Sequence, residues 1–164
     1  MIISVIGGEA CPPEALAAAE AVGRELARQG VTLVCGGRGG VMEAACRGAR
    51  SGGGHTIGIM PGRNRQESPP NRYVEFPLFT GMGYARNVMV VLSGQAVIAI
   101  SGSYGTLSEI AYALINEIPV IGLDTWDFAY AGHDGERIRR VSGPEEAATL
   151  AISLARSRAG SEES

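Results

Sequence analysis

Short apolar runs alternate with amphipathic stretches along most of the chain. The runs are continuous and rich in valine and isoleucine, which is typical of strands buried on both faces of a parallel sheet. They predict strands at Ile2–Ile6, Val31–Cys35, His55–Met60, Tyr73–Phe79, Ala96–Ser101 and Pro119–Leu123. Helical spacing predicts helices at Pro12–Gln29, Val41–Arg50, Val88–Ser93, from near Thr106 onward and at Pro144–Arg158. This alternation predicts an α/β fold in three layers, in which helices cover both faces of an open, mainly parallel sheet (an αβα arrangement).

The length of 164 residues suits one domain with a full hydrophobic core. We expect residues 1–158 to form a single nucleotide- or phosphate-binding domain and residues 159–164 to form a disordered tail. A polar turn is expected at Gly132–Arg140. An aromatic cluster is expected to act as a packing plug rather than as a base-stacking platform. It consists of Trp126, Phe128 and Tyr130.

The proline-rich segment Pro61–Arg72 has no hydrophobic periodicity and is expected to be a loop or lid near a ligand. Its arginines would then be able to contact a phosphate, although exposed arginines are common in any loop. They are Arg63, Arg65 and Arg72. The strand that follows contains Pro77, which indicates an edge or irregular strand.

Composition excludes several classes of protein. The formal net charge of -3 argues against nonspecific binding of nucleic acid. No apolar run reaches the roughly 18 residues that span a bilayer, and the N-terminus lacks a signal-peptide pattern, so we expect a cytoplasmic protein without a membrane segment. All 14 basic residues are arginine. The absence of lysine excludes a pyridoxal-phosphate enzyme and a Walker A loop.

Metal and cofactor sites are not expected from the cysteines and histidines. The three cysteines are odd in number and lack CxxC spacing, and there are two histidines. Buried structural thiols are therefore favoured over a metal or redox site. The residues concerned are Cys11, Cys35, Cys46, His55 and His133.

Two glycine-rich turns, Gly36–Gly40 and Ser101–Thr106, each connect a predicted strand to a predicted helix. Glycines let the backbone approach a ligand, and the first amides of a helix lack intrahelical partners, so each turn can cradle a phosphate. The alternative for Gly36–Gly40 is a tight turn with an exposed arginine. The candidate phosphate-binding residues are Gly36, Gly37, Arg38, Gly39, Gly40, Gly102, Ser103, Tyr104, Gly105 and Thr106.

Two charged residues accompany these turns. Glu109 is expected in the first turn of its helix, facing the same place as the glycines, but Thr106 and Glu109 also fit a capping box, which is a purely structural role. Arg86 lies just before the apolar segment Val88–Ser93. It would hold a phosphate if it lay near the glycine turns, and the alternative is a surface ion pair. The apolar helix must be buried by its own chain or by a second copy, and we favour a homo-oligomer.

Three segments together, Gly36–Met42, Gly83–Asn87 and Ser101–Glu109, resemble the LOG (Lonely Guy) family, long mislabelled as lysine decarboxylases. The similarity in order and spacing covers roughly Ile2 to Leu123. The resemblance implies a Rossmann-like fold, a homodimer or homotetramer, and phosphoribohydrolase activity. That activity cuts the N-glycosidic bond of a nucleoside 5′-monophosphate and releases free base and ribose 5-phosphate.

The match to the family is close but incomplete. The family signature PGGxGTxxE is matched by Gly102, Gly105, Thr106 and Glu109. Serines replace the proline and the second glycine, at Ser101 and Ser103, and Asn87 replaces the lysine of an arginine–lysine pair. The glycine motif GGGxxGLMG is one residue shorter, with Glu43 at its last glycine. These departures look like the short branch of the family, to which a molybdenum-cofactor carrier protein is also similar.

The resemblance implies roles for the residues that match the family's pattern. Glu109 would stabilise the positive charge that develops on the ribose and orient the attacking water, while Arg86 would position the ribose. Further contacts are expected from Gly7, Gly8, Met82 and Asn87.

A different hypothesis is a binding protein that carries a nucleotide or a molybdenum cofactor in the same phosphate cradle without hydrolysis. The altered signature favours the carrier, whereas the retained Glu109 and Arg86 favour the enzyme. A DNA-binding relative of the same fold is a third hypothesis, which the acidic charge balance opposes.

Overall fold

The computed structural model describes residues 1–127 and 137–162, so Phe128, Tyr130 and the first part of the predicted polar turn lie outside the described residues. The strands are β1 (Ile2–Gly7), β2 (Thr32–Cys35), β3 (Thr56–Met60), β4 (Phe76–Phe79), β5 (Val97–Ile100), β6 (Val120–Leu123) and β7 (Ile138–Arg140). The helices are α1 (Pro13–Arg28), α2 (Val41–Ser51), α3 (Asn87–Leu92), α4 (Tyr104–Ile115) and α5 (Pro144–Glu162). A 3₁₀ turn at Gly83–Arg86 leads into α3.

The seven strands of the described residues form one sheet in the order β4-β3-β2-β1-β5-β6-β7, and every neighbouring pair is parallel. The chain builds outward from β1 to β4 and then returns to the other side of β1 with β5. The strand order therefore reverses between β1 and β5, which is where open α/β sheets form a crevice outside the carboxyl ends of the strands. The predicted α/β fold with an open parallel sheet is confirmed.

Both faces of the sheet are buried, because successive side chains of a strand point to opposite sides. Ile3 and Val5 of β1 pack into the layer formed with α1, α2 and α5, whereas Ile6 packs into the layer formed with α3 and α4. The same alternation holds in β5, where Ile98 and Val97 lie in opposite layers. This double burial explains why the strands appear in the sequence as continuous apolar runs.

Glycines bring α1 and α2 into close contact. A methyl group at Gly48 would lie 1.9 Å from the backbone oxygen of Glu20, and one at Gly23 would lie 2.0 Å from that of Ala45. A side chain at either position would force the two helices apart. The small residues therefore fix how α2, and with it the turn that precedes α2, lies against the sheet.

The edge strand β7 corrects the prediction of a polar turn at Gly132–Arg140. Ile138 is buried in the core and pairs with Val120, while Arg139 and Arg140 are exposed. One apolar residue is enough for this short strand, because Ile138 is its only residue whose side chain is buried in the core. Charged side chains on an edge strand also discourage pairing with another chain. A polar sequence is therefore compatible with this strand.

The helices differ from prediction at their ends. α4 begins at Tyr104, earlier than the expected start near Thr106, and α5 continues to Glu162, beyond Arg158 and into the segment expected to be a disordered tail. Residues 163–164 lie outside the described part. The apolar helix α3 is short, and Met89 and Leu92 are 40% and 52% exposed rather than buried by the chain itself.

Two further features concern the chemistry expected from composition. Cys35 and Cys46 are buried free thiols with their Sγ atoms 3.5 Å apart, and Cys11 is a half-buried free thiol. No helix within the described residues is long and apolar enough to cross a bilayer.

Candidate active site

The turns after β1, β2 and β5 border a cleft of about 520 Å³ at the reversal of strand order. Among the predicted site residues, those lining it are Gly7, Gly8, Arg38, Arg86, Asn87, Ser103, Tyr104, Gly105, Thr106 and Glu109. Lining residues that the sequence analysis did not select are Glu9, Met42, Tyr84 and Ser108. The only signal for these four is position, since each is adjacent or nearly adjacent to a predicted site residue. The volume lies in the usual range for small-molecule sites.

The N-terminus of α4 presents free backbone amides to this cleft. The first intrahelical bond is donated by the Leu107 amide to the Ser103 oxygen, so the amides of Tyr104, Gly105 and Thr106 precede the helical ladder. Within the described residues no side chain caps this end. Amides and the helix dipole together favour an anion at such a position.

Gly102 allows the turn before α4 to be this tight. Its φ is 123°, in the region that favours glycine, and a methyl group there would lie 2.5 Å from the Thr106 Cβ. Gly102 is thus required by the path of the backbone. It lies behind the cleft lining rather than in it.

Glu109 lies in the second turn of α4, not in the first as expected, because the helix begins at Tyr104. The helix is preceded by Ser103 at its N-cap, so Thr106 and Glu109 occupy helical positions and do not form a capping box. The structural alternative for this glutamate is therefore wrong. Its side chain is 6% exposed and lines the cleft.

Burial controls the charge of Glu109. Desolvation raises the pKa of its carboxyl group to about 7, and the nearby Arg86 opposes this increase only in part. Within residues 1–127 and 137–162 the carboxylate makes no hydrogen bond or ion pair. Strongly shifted carboxyl groups in clefts are typical of functional sites.

Arg86 is buried beside this glutamate and is not a surface ion pair, so that alternative is also wrong. It is 6% exposed, it donates from Nη2 to the Gly36 oxygen at 3.4 Å, and it donates from Nη1 to Oδ1 of Asn87. Its Nε is buried and has no hydrogen-bond partner among the described residues. Burial lowers the pKa of the guanidinium group. A buried cation with a free donor is suited to bind an oxygen of a ligand.

Asn87 connects Arg86 to the start of α4. Its Nδ2 donates to the Ser108 Oγ at 3.3 Å, and that hydroxyl donates to the Gly105 oxygen at 2.6 Å. Asn87 therefore spans from the arginine to the helix that carries the glutamate. Ser108 is the residue of this network that the sequence analysis missed.

The Gly36–Gly40 turn supports the cleft from behind. A methyl group at Gly36 would lie 2.7 Å from Nη2 of Arg86, and one at Gly40 would lie 2.3 Å from the Gly8 oxygen. These glycines leave space for the buried arginine and for the turn after β1. The structure places the following predicted residues outside the cleft lining: Gly36, Gly37, Gly39, Gly40, Gly102 and Met82. Direct phosphate contact by them stays a prediction.

Arg38 does reach the cleft from this turn, where its Nε lies 2.6 Å from Oε1 of Glu9. The loop arginines do not. Arg63 pairs with Glu67, Arg72 lies over the Tyr73 ring, and Arg65 is exposed. The loop contacts the Gly36–Gly40 turn through Asn71, whose Nδ2 donates to the backbone oxygens of Gly37 and Arg38.

Fold and site together define a doubly wound α/β protein whose cleft combines an uncapped helix N-terminus with a buried arginine and a buried glutamate. Within that class, the chain belongs to the SLOG cluster4 family, whose model matches residues 1–149.

The relatives in sequence include an uncharacterized protein and enzymes that are named as phosphoribohydrolases. The chain is 45% identical over 114 residues to an uncharacterized protein of Archaeoglobus fulgidus, an alignment that covers 70% of this chain and 74% of that protein. It is 32% identical over 124 residues to the cytokinin riboside 5′-monophosphate phosphoribohydrolase of Mycobacterium marinum, covering 74% of this chain and 60% of that enzyme. A probable enzyme of the same name in rice is 33% identical over 94 residues, covering 57% of this chain and 41% of its own length. The matched region is thus only part of each of these longer enzymes.

Solved structures match along nearly the whole chain. The molybdenum cofactor binding protein of Rippkaea orientalis has a TM-score of 0.86 and 39% identity, covering 93% of this chain and 96% of its own. The molybdenum cofactor carrier protein of Chlamydomonas reinhardtii has a TM-score of 0.83 and 32% identity, and the match covers 94% of this chain and 98% of that protein. The predicted resemblance to the LOG family and to molybdenum-cofactor carriers is confirmed.

Proposed function

We propose that the protein hydrolyses the N-glycosidic bond of a nucleoside 5′-monophosphate. The observation that carries this proposal is Glu109, a buried carboxyl group without a hydrogen bond in the described residues, in the same cleft as Arg86 and the free amides of α4. Burying such a group without a partner is costly for stability, which favours a functional role. The relatives in Mycobacterium marinum and rice are named as phosphoribohydrolases of such substrates.

The phosphate of the substrate would bind at the N-terminus of α4. The amides of Gly105 and Thr106 supply donors there, and the helix dipole adds a favourable potential. Arg38 also lines the cleft, where its guanidinium group is paired with Glu9 and adds further donors. Binding at this end orients the rest of the molecule along the cleft, which lowers the entropic part of the barrier.

The reacting bond would lie between Arg86 and Glu109. Cleavage of a ribosyl bond develops positive charge on the sugar, and an ionised Glu109 stabilises that charge and orients the attacking water. The free Nε of Arg86 supplies a donor for a ribose oxygen. With a pKa of about 7, Glu109 is ionised in a large fraction of molecules at neutral pH and is still basic enough to accept a proton from water.

The test is release of free base and ribose 5-phosphate from a panel of nucleoside 5′-monophosphates. Glu109→Gln should lower the rate by about a thousandfold while nucleotide binding persists, because it removes the charge but keeps the shape. The matched control is Glu14→Gln, an exposed glutamate on α1, which should keep full activity. Equal rates in wild type and Glu109→Gln would contradict the proposal.

The second candidate function is a carrier for the molybdenum cofactor. The observation that favours it is the extent of similarity, because the Rippkaea orientalis protein matches this chain over almost its whole length. Ser101 and Ser103 in the glycine turn are departures from the hydrolase signature that point the same way. Saturable binding of the molybdenum cofactor, with no turnover of any nucleoside monophosphate, would establish the carrier instead.

We further propose that the protein is a homodimer or homotetramer formed through α3 and α4. The exposed apolar residues of this face include Met89, Leu92, Tyr112 and Ile115. The only charged residue of either helix is Glu109, which is buried. A surface of two uncharged helices with exposed aliphatic side chains is typical of a subunit interface. A cytoplasmic location stays a prediction.

A further inference from the structure

Two tyrosines stand in the cleft with their rings largely in solvent. Tyr84 on the 3₁₀ turn and Tyr104 at the first position of α4 are each 81% exposed, and both line the cleft. They are the most exposed large apolar side chains within the described residues. They come from two segments that are separate in sequence, so local sequence does not explain why both line one cleft.

Tyr104 is held in place from behind. Its ring lies 5.8 Å from the Trp126 ring, with an angle of 36° between the two planes. The indole Nε1 donates to the Ser103 oxygen at 3.0 Å, and Arg140 donates from Nη2 to the Trp126 oxygen at 2.9 Å. One hydrogen bond therefore holds the indole ring of Trp126, and another holds its backbone oxygen. The Tyr104 ring thus contacts a held indole ring and is still 81% exposed.

Tyr104 lies at the candidate anion site, because it is the first residue of α4. Its own amide is among the free amides at the start of α4, next to those of Gly105 and Thr106. A ligand with an anionic group at these amides has its remaining parts within the same cleft as the two rings. Aromatic side chains bind planar heterocycles by stacking, through dispersion and the removal of water.

We propose that Tyr104, braced by Trp126, and Tyr84 bind the planar heterocycle of the phosphorylated ligand, with a bicyclic ring preferred over a monocyclic one. This inference rests on the proposed function, because it takes the ligand to be a nucleotide in this cleft. The preference follows from area, since a bicyclic ring covers more of the aromatic surface. The sequence predicts that Trp126 has a packing role. In this proposal the packed indole also supports the Tyr104 ring that binds the ligand.

The experiment measures binding in the Glu109→Gln protein, so that turnover does not interfere. Calorimetric titrations use a purine nucleoside monophosphate, a pyrimidine nucleoside monophosphate and ribose 5-phosphate. Tyr104→Ala should weaken purine nucleotide binding about tenfold and pyrimidine nucleotide binding less, because a base stacked on an aromatic ring contributes roughly this much. Ribose 5-phosphate, which has no heterocycle, should bind with unchanged affinity. Tyr104→Phe should keep the purine affinity because it keeps the ring.

The matched control is Phe76→Ala, which removes an exposed aromatic ring on the edge strand β4, outside the cleft lining. It should leave all three affinities unchanged. Trp126 is the single tryptophan, so a change of its fluorescence on nucleotide binding gives an independent signature that depends on Tyr104. Circular dichroism of each variant verifies that it is folded.

Three outcomes would overturn the stacking site. One is an equal loss of affinity for ribose 5-phosphate and the nucleotides in Tyr104→Ala, which would mean that the residue only maintains the anion site. Another is no change for any ligand. The third is a lower molecular mass for Tyr104→Ala by analytical ultracentrifugation, which would mean that a second copy covers the ring. By contrast, binding that depends on Tyr104 without hydrolysis in the wild type would overturn the proposed hydrolase and support the stacking site.

Discussion

Glu109 combines a functional position with a cost in stability. Burial largely removes its carboxyl group from water, and the positive charge of the nearby Arg86 offsets the desolvation only in part. A group selected for stability would have been capped by amides or paired closely with the arginine. Its isolation within the described residues therefore argues that a ligand completes its environment. This property leads to a pH-dependent effect on folding.

Glu109→Gln is expected to stabilise the protein at alkaline pH. The pKa of Glu109 is about 7 in the folded state, against 4.5 for an exposed glutamate carboxyl group. Between these values the folded state binds more protons, so the free energy of unfolding of the wild type decreases as pH rises from 4.5 through 7. The variant lacks this loss and should be more stable above pH 7 by about 3 kcal/mol.

Urea unfolding of both proteins between pH 4 and pH 8.5 measures this difference. It should be small near the acid end, develop through pH 4.5 to 7 and then level off. Glu14→Gln, which changes an exposed glutamate, serves as the control and should show no such trend. A difference between wild type and Glu109→Gln that does not vary with pH would contradict the raised pKa.

At the scale of elements, glycines decide how closely segments approach. Gly36 leaves space for the guanidinium of Arg86, and Gly40 lies against the turn after β1. The same principle holds further from the site, where Gly23 and Gly48 let α1 and α2 touch backbone to backbone. These contacts set the position of α2 and therefore of the turn that bears Arg38. Packing of the helices is thus coupled to the wall of the cleft.

Gly48→Ala is expected to destabilise the protein by about 1 to 3 kcal/mol, because its methyl group would lie 1.9 Å from the Glu20 backbone oxygen and the helices would have to separate. Urea unfolding of the variant measures the change. The matched control is Gly160→Ala, the same substitution near the C-terminal end of α5, where the new methyl group meets no atom of another described element within 4 Å; it should be neutral or slightly stabilising. Equal stability of Gly48→Ala and the wild type would refute the proposed close packing.

At the scale of the whole molecule, one face of the protein is unusually apolar. The helices α3 and α4 cover one side of the sheet, yet Leu92 is 52% and Ile115 is 72% exposed. The other large helix layer, formed by α1, α2 and α5, carries ion pairs on its surface, such as that of Arg47 with Glu20. This contrast locates the proposed subunit contact on the α3–α4 face.

A charge placed on this face should disrupt the oligomer. Leu92→Glu is expected to shift the protein towards the monomer, because burying the new carboxylate in an apolar interface costs several kcal/mol. Sedimentation velocity over a range of concentrations measures the mass. Thr149→Glu, at an exposed position on α5, is the comparison on the other layer and should leave the mass unchanged. A monomeric wild type would contradict the interface.

The order of strands β1 to β6 and of the helices, and the position of the cleft at the ends of the strands, follow from local patterns in the sequence. Apolar runs specify strands buried on both sides, and the glycine turns with Arg86 and Glu109 mark the site. Such features depend on residues that are close in sequence, so each can be predicted from its own segment of the chain.

Other features depend on residues that are distant in sequence, so local patterns do not contain them. The choice between a cap and a cleft residue for Glu109 depended on where α4 begins, and the role of Gly36 depended on a guanidinium 50 positions away. The strand β7 is stabilised by its pairing with β6 rather than by its own polar sequence. Tyr84 and Tyr104 meet in one cleft only because the fold brings their segments together. Long-range packing decided these points.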